Sequence, residues 1–205
     1  MVSHEHTQPG DGATAVDEEP VVLIVDDESE ILESYELYLS EEYDVRTASN
    51  GAKALVELSP EIDVVLLDRR MPGMSGDEVL EHITDWHSDC RVIMVTAVDA
   101  ATDIVDLPFD DYLTKPVSKS DLTATIEQLL LFDRYEQLLM AYNSATRKYA
   151  TLKATLDPET FESDEKVAQL ESRRATLKSR LETTIDQFID DEVSEIFRTA
   201  HSSPP

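Results

Sequence analysis

Residues 64–80 read VVLLDRRMPGMSGDEVL, and the order of residue types in this stretch decides the fold. Val64–Leu67 is a continuous apolar run of strand length, the pattern of a strand buried on both faces. Asp68 follows it directly, although acidic residues ordinarily sit on surfaces. Ser75-Gly76 then precedes a helix expected over Asp77–Ile83. The same alternation recurs on either side. Val21–Val25 and Val92–Val95 are two more apolar strands, Tyr43–Thr47 is an outer strand, and Asp111–Leu113 is a short last one. Further helices are expected over Ser29–Leu39, over Ala52–Leu58 after Asn50-Gly51, and from Ser118 onward.

Strands that alternate with single helices imply a parallel sheet with right-handed crossovers. The expected class is α/β: a flavodoxin-like, doubly wound, five-stranded parallel sheet whose ligands bind at the carboxyl ends of the strands. Beyond Asp121 the pattern becomes purely helical. Tyr135, Leu138, Tyr142, Ala145, Tyr149, Leu152 and Leu156 follow a heptad repeat, which Asp157-Pro158 interrupts. A second helix carries Val167, Leu170, Leu177, Leu181 and Phe188 on one stripe, with Arg174 at an intervening stripe position. An all-α antiparallel hairpin is the simplest arrangement. The expected division is a disordered tail at 1–19 whose His4 and His6 make no metal pair, an α/β domain at 20–131, the hairpin at 132–200 and a frayed end at 201–205.

The charge is −27, from 17 cations against 44 anions. Such a chain repels nucleic-acid phosphates and membrane surfaces in dilute salt. Either it meets a basic partner, or it works in multimolar salt, where charge is screened within about 3 Å. The acidic surplus is spread along the α/β half, and only 7 residues are Lys. That dispersal resembles halophilic archaeal proteins. Residues 1–120 hold 7 cations and 28 anions, whereas residues 121–205 hold 10 and 16, so the second half differs in kind. One cysteine, Cys90, allows no internal disulfide and fits a reducing compartment. With no apolar run of membrane length and no cationic leader, a cytoplasmic protein without a membrane partner is expected.

The chemistry is expected where the strands end. Asp26 and Asp27 follow the first strand and Asp68 the third. In a doubly wound sheet these two strands are neighbours, so three carboxylates gather at one edge, where repulsion calls for a cation. Oxygen-only donors at an open site suit Mg²⁺. Thr96 and Lys115 follow the fourth and fifth strands, a hydroxyl donor and a compact positive charge. Pro116 fixes the chain direction after the lysine.

Taken in order, VLIVDDE, VVLLDRRMPGMSGDEVL, VIMVTA and DYLTKP resemble the receiver domain of response regulators, across residues 20–131. The resemblance implies phosphorylation of Asp68 by a sensor histidine kinase. It implies that Asp26, Asp27, Asp68 and the backbone carbonyl of Arg70 hold Mg²⁺. Thr96 and Lys115 would contact the phosphoryl group, and Tyr112 would be an aromatic switch. Apart from its own phosphorylation and dephosphorylation, such a domain is not an enzyme. Only 18 residues separate Thr96 from Lys115, short for this family, so the intervening helix is expected to be brief, over 99–106. The stretch from Asp133 through Leu156 and the helix after it resemble the HalX domain, over 130–197.

Two outputs compete for the hairpin. Arg173, Arg174, Lys178 and Arg180 form a cluster without an anion and would contact DNA. Alternatively, Tyr135, Tyr142 and Tyr149 build a seam for a protein partner or a homodimer, without direct DNA binding.

Overall fold

The computed structural model describes residues 19–86, 90–97 and 107–201, with 190–201 as backbone alone. Residues 1–18 of the expected N-terminal tail, with His4 and His6, the helix over 99–106 and residues 202–205 of the expected frayed end lie outside the described residues, while His201 closes the last helix. The elements are β1 (Val21–Val25), α1 (Ser29–Leu39), β2 (Asp44–Ala48), α2 (Gly51–Glu57), β3 (Val64–Leu67), α3 (Gly76–Asp85), β4 (Arg91–Thr96), β5 (Asp111–Thr114), α4 (Lys119–Thr155), α5 (Pro158–Ser163) and α6 (Glu165–His201). Two compact units divide between Lys119 and Ser120.

In the first unit the sheet has the order β2-β1-β3-β4-β5, and every pair is parallel. This is the doubly wound order, with β1 and β3 as neighbours on either side of the switch point. All four β3 residues are buried, as are Val22–Val25 and Val92–Val95. Each such side chain contributes about 1.5–3 kcal/mol on burial. The sheet therefore holds its strand ends firmly. Register aligns those ends: Val25 lies opposite both Ala48 and Leu67, and Leu67 lies opposite Met94.

Sequence expectation and structure differ by a residue or two at several ends, for local reasons. The Asn50 side chain accepts from Lys53 N and caps α2, so the helix opens on Gly51 rather than Ala52. Ser75 and Glu78 form a reciprocal capping box that starts α3 at Gly76, and the helix runs to Asp85 instead of Ile83. Asp157-Pro158, read as a break, is also a start. Asp157 accepts from Thr160 N, and Pro158 occupies the first turn of α5, a short helix the heptad pattern did not disclose.

The second unit is the helical hairpin. Tyr135 meets Phe188 edge-on at 6.1 Å, and farther along α4 Tyr149 meets Arg174, farther back on α6, at 4.2 Å. Progress along one helix is retreat along the other, so α4 and α6 run antiparallel. Leu138, Ala145, Leu177 and Leu181 form the buried centre, flanked by Tyr135, Tyr142 and Leu170.

Candidate functional site

The strand ends bring together residues far apart in the chain. Asp68 N donates to Val25 O at 2.8 Å, and Lys115 N donates to Thr96 O at 2.9 Å. These bonds carry the sheet register one residue past β3 and β5, where the functional side chains begin. Asp26, Asp68 and Thr96 are 2%, 5% and 1% exposed, an unusual depth for two carboxylates. Their compensation comes from Lys115, whose Nζ lies 2.6 Å from Asp26 Oδ2 and 3.1 Å from Asp68 Oδ1. Glu28 Oε1 approaches the same ammonium at 3.8 Å. Lys115 precedes a cis peptide to Pro116.

Backbone donors fix both carboxylates. Glu28 N donates to Asp26 Oδ1 at 2.9 Å, and Arg70 N donates to Asp68 Oδ2 at 3.0 Å. One ammonium serves two buried carboxylates, and the charges respond accordingly. Burial pushes the Asp68 carboxyl above its usual range against the opposing pull of Lys115, while Asp26 adds to the rise. Burial would lower the Lys115 ammonium, but the hydrogen bond to Asp26 and the charges of both aspartates outweigh it and hold it high. The site thus contains a cation that stays charged and a carboxylate short of compensation.

Asp27 is exposed and opens onto a cleft of about 500 Å³ beside Arg69, Arg70 and Asp77. Among the described residues, no three of His, Cys, Asp and Glu stand together as a metal-holding group. The structure brings Asp26, Asp68 and Lys115 into direct contact and sets Asp27 on the cleft side. The donor set of carboxylates and a backbone carbonyl is nonetheless chemically matched to a hard divalent cation. Tyr112 is half-buried, with its ring 6.1 Å from that of Phe109.

Two contributors escaped sequence reasoning. Glu28 reaches Lys115, and Arg69 holds Asp77 through Nε and Nη2 at 3.1 Å each. Neither pair has a helical or strand spacing that could reveal it. The Ser75-x-x-Glu78 box, by contrast, is a readable signature of the helix start beside Asp77.

The four cations on α6 are not placed alike. Arg174 lies in the hairpin seam with its guanidinium over Tyr149, and its Nε is buried without a hydrogen-bond partner. Arg173, Lys178 and Arg180 are exposed. At 3.6 residues per turn, Arg173 and Arg180 fall on one flank of the Leu170–Leu177–Leu181 stripe and Lys178 on the other. Lys178 also pairs with Glu182 at 3.6 Å.

Comparison with known proteins agrees with this geometry. The family model for the response regulator receiver domain matches residues 22–127, and that for the HalX domain matches residues 131–197. A Haloferax volcanii protein, named as a candidate transcriptional regulator, is 42% identical over 82% of this chain and 29% of its own length. The response regulator SaeR of Staphylococcus epidermidis is 36% identical over 53% of this chain and 49% of its own. The chain therefore spans under a third of the first relative and about half of the second. A crystal structure of a response regulator receiver domain protein (CheY-like) from Methanospirillum hungatei superposes with a TM-score of 0.50 at 32% identity, covering 54% of this chain and 93% of that one. The chain belongs to the response regulator receiver family and carries a HalX domain behind the receiver.

Proposed function

We propose that this protein accepts a phosphoryl group on Asp68 from a sensor histidine kinase and passes the signal to its helical module, with control of transcription as the outcome. The observation that carries this reading is the buried Asp68 carboxylate, bridged by Lys115 to Asp26 at the carboxyl end of β3. A carboxylate oxygen of Asp68 attacks phosphorus as the phosphorus–nitrogen bond to the donor imidazole breaks, and the imidazole leaves with a proton. Lys115 stays charged and offsets the anionic oxygens that arrive. Arg70 N–H keeps the carboxylate oriented. Thr96 would donate its hydroxyl to a phosphoryl oxygen, and Tyr112 would follow Thr96 inward. Such catalysis is positioning and charge neutralisation.

Receiver domains bind Mg²⁺. Here Asp26, Asp27, Asp68 and the Arg70 carbonyl would hold it, and when bound it supplies the positive charge that one lysine cannot. We take 20–131 as the receiver and 132–200 as the output module. Against direct DNA contact stand the packing of the half-buried Arg174 on the Tyr149 ring and the division of Arg173, Arg180 and Lys178 between two flanks. That placement favours a second reading of the output, a phosphorylation-controlled protein contact or homodimer. The full chain in high salt, given phosphoramidate and Mg²⁺, should take up one phosphoryl group, change its assembly state and release the group to water more slowly once EDTA removes the metal. A phosphorylated chain that neither changes assembly nor binds DNA differently contradicts the signalling role assigned to the helices.

A further inference from the structure

The loop between β3 and α3 leaves the sheet at Asp68 and returns at Gly76, turning through Gly73 at a φ of 83°. Its two ends are tied together three times. Gly76 N donates to Arg69 O at 2.9 Å. The α-carbon of Gly76 lies so close that an added Cβ would collide with the Asp68 carbonyl oxygen and come within 2.8 Å of the Arg69 α-carbon. The third tie is the Arg69 guanidinium, which grips Asp77 with Nε at 3.1 and 3.2 Å and Nη2 at 3.1 Å. The next peptide along is the one whose N–H donates to Asp68 Oδ2 at 3.0 Å.

We propose that the Arg69–Asp77 ion pair is a positioning device for phosphoryl transfer, holding the 69–70 backbone so that the Arg70 N–H orients the Asp68 carboxylate. The inference rests on the reading of Asp68 as phosphoacceptor. The side chains are 13% and 37% exposed, so solvent screens the pair and its share of overall stability is small. Its bidentate geometry is directional, however, and directional constraint is what a nucleophile needs. Small displacement of a reacting group is costly: about 1 Å can slow a reaction by about 100-fold. The two effects are therefore separable, with little loss of fold and large loss of rate. Arg69 and Asp77 touch no reacting atom on this account. They act through the Arg70 peptide.

The test is a cycle of Arg69→Gln, Asp77→Asn and the double variant in the full chain, with Asp68→Asn as control and acetyl phosphate with Mg²⁺ as the probe. Each single variant should keep the wild-type circular dichroism spectrum. Each should lower the maximal labelling rate by about 10- to 100-fold, with the half-saturating acetyl phosphate concentration changed by less than about two-fold. The double variant should be no slower than the slower single, and Arg69→Lys should recover part of the rate. The Arg70 amide resonance should shift in the two single variants, a change that loosened packing elsewhere would not produce. The proposal is overturned if Arg69→Gln raises the half-saturating concentration while Asp77→Asn lowers it, because the guanidinium then binds the donor directly. Multiplied losses in the double variant, or unchanged rates in both singles, overturn it as well. If the wild type takes no label, or Asp68→Asn takes it, the phosphoacceptor reading fails instead.

Discussion

At Lys115 a single ammonium stands against two buried carboxylates, and the energetics of the site follow from that shortage. Removing the lysine leaves Asp26 and Asp68 facing each other without a cation. Breaking one partner of a buried pair costs about 3–5 kcal/mol. Lys115→Ala should therefore lose about that much stability in EDTA, and Mg²⁺ should restore more of it than it adds to the wild type. Guanidinium melts with and without Mg²⁺ measure both quantities. Asp68→Asn should act in the opposite sense, raising the thermal midpoint of the metal-free protein at neutral pH. The folded-state pKa of Asp68 lies above its ordinary value, so its ionised form opposes folding, and acidification through that raised value relieves the cost. The advantage of the variant should fade over the same acidic range. For Lys115 the raised pKa means stability that is complete below the ordinary 10.5 and lost as pH climbs through the folded value.

Among the elements, those built on local signals were legible in the sequence and those built on long-range geometry were not. β1, α1 and β3 span the residues that hydrophobic runs and periodicity indicate, because burial on both faces leaves few polar interruptions. Asp26 and Lys115 are 89 positions apart, yet their meeting was foreseeable because both follow strands of one parallel sheet. The Arg69–Asp77 clasp and the approach of Glu28 were not, since they depend on how loops turn outside the sheet. Start signals carry their own test. Ser75→Ala removes the side-chain cap of α3 and should cost about 1 kcal/mol by chemical denaturation. Glu78, the other half of the box, has its pKa lowered by the Ser75 hydrogen bonds. Its contribution is present above its ordinary 4.5 and should disappear as pH falls through the folded value, so the penalty of Ser75→Ala should shrink in acid. In the hairpin, the sequence puts Arg174 both on the apolar stripe and in the basic cluster, and the structure seats it in the seam over Tyr149. Arg174→Leu should leave stability unchanged or raise it, because a buried unpartnered Nε is lost. Arg174→Ala should lose the ring contact, worth about 0.5–1 kcal/mol. Neither should alter DNA binding if the seam is its place.

For the whole molecule, the net charge of −27 governs the conditions under which any of this can be observed. Screening reaches about 10 Å at 0.1 M salt and about 3 Å at 1 M, so self-repulsion weakens steeply between those limits. The thermal midpoint should rise across that range of KCl, and a flat profile would contradict the halophilic reading of the composition. Among the described residues no helix is long and apolar enough to cross a membrane. The molecule joins a sheet whose strand ends collect two acids and a base to a helical hairpin of lower net charge. On the proposed function, what unites them is a covalent event at one side chain. Incubation with Mg²⁺ and acetyl phosphate in high salt, followed by borohydride reduction and peptide mass spectrometry, locates that event directly. Residue 68 should be converted to homoserine in the wild type, and Asp68→Asn should show no conversion. Conversion at Asp26 or Asp27 with residue 68 untouched, or labelling that persists in Asp68→Asn, would contradict it.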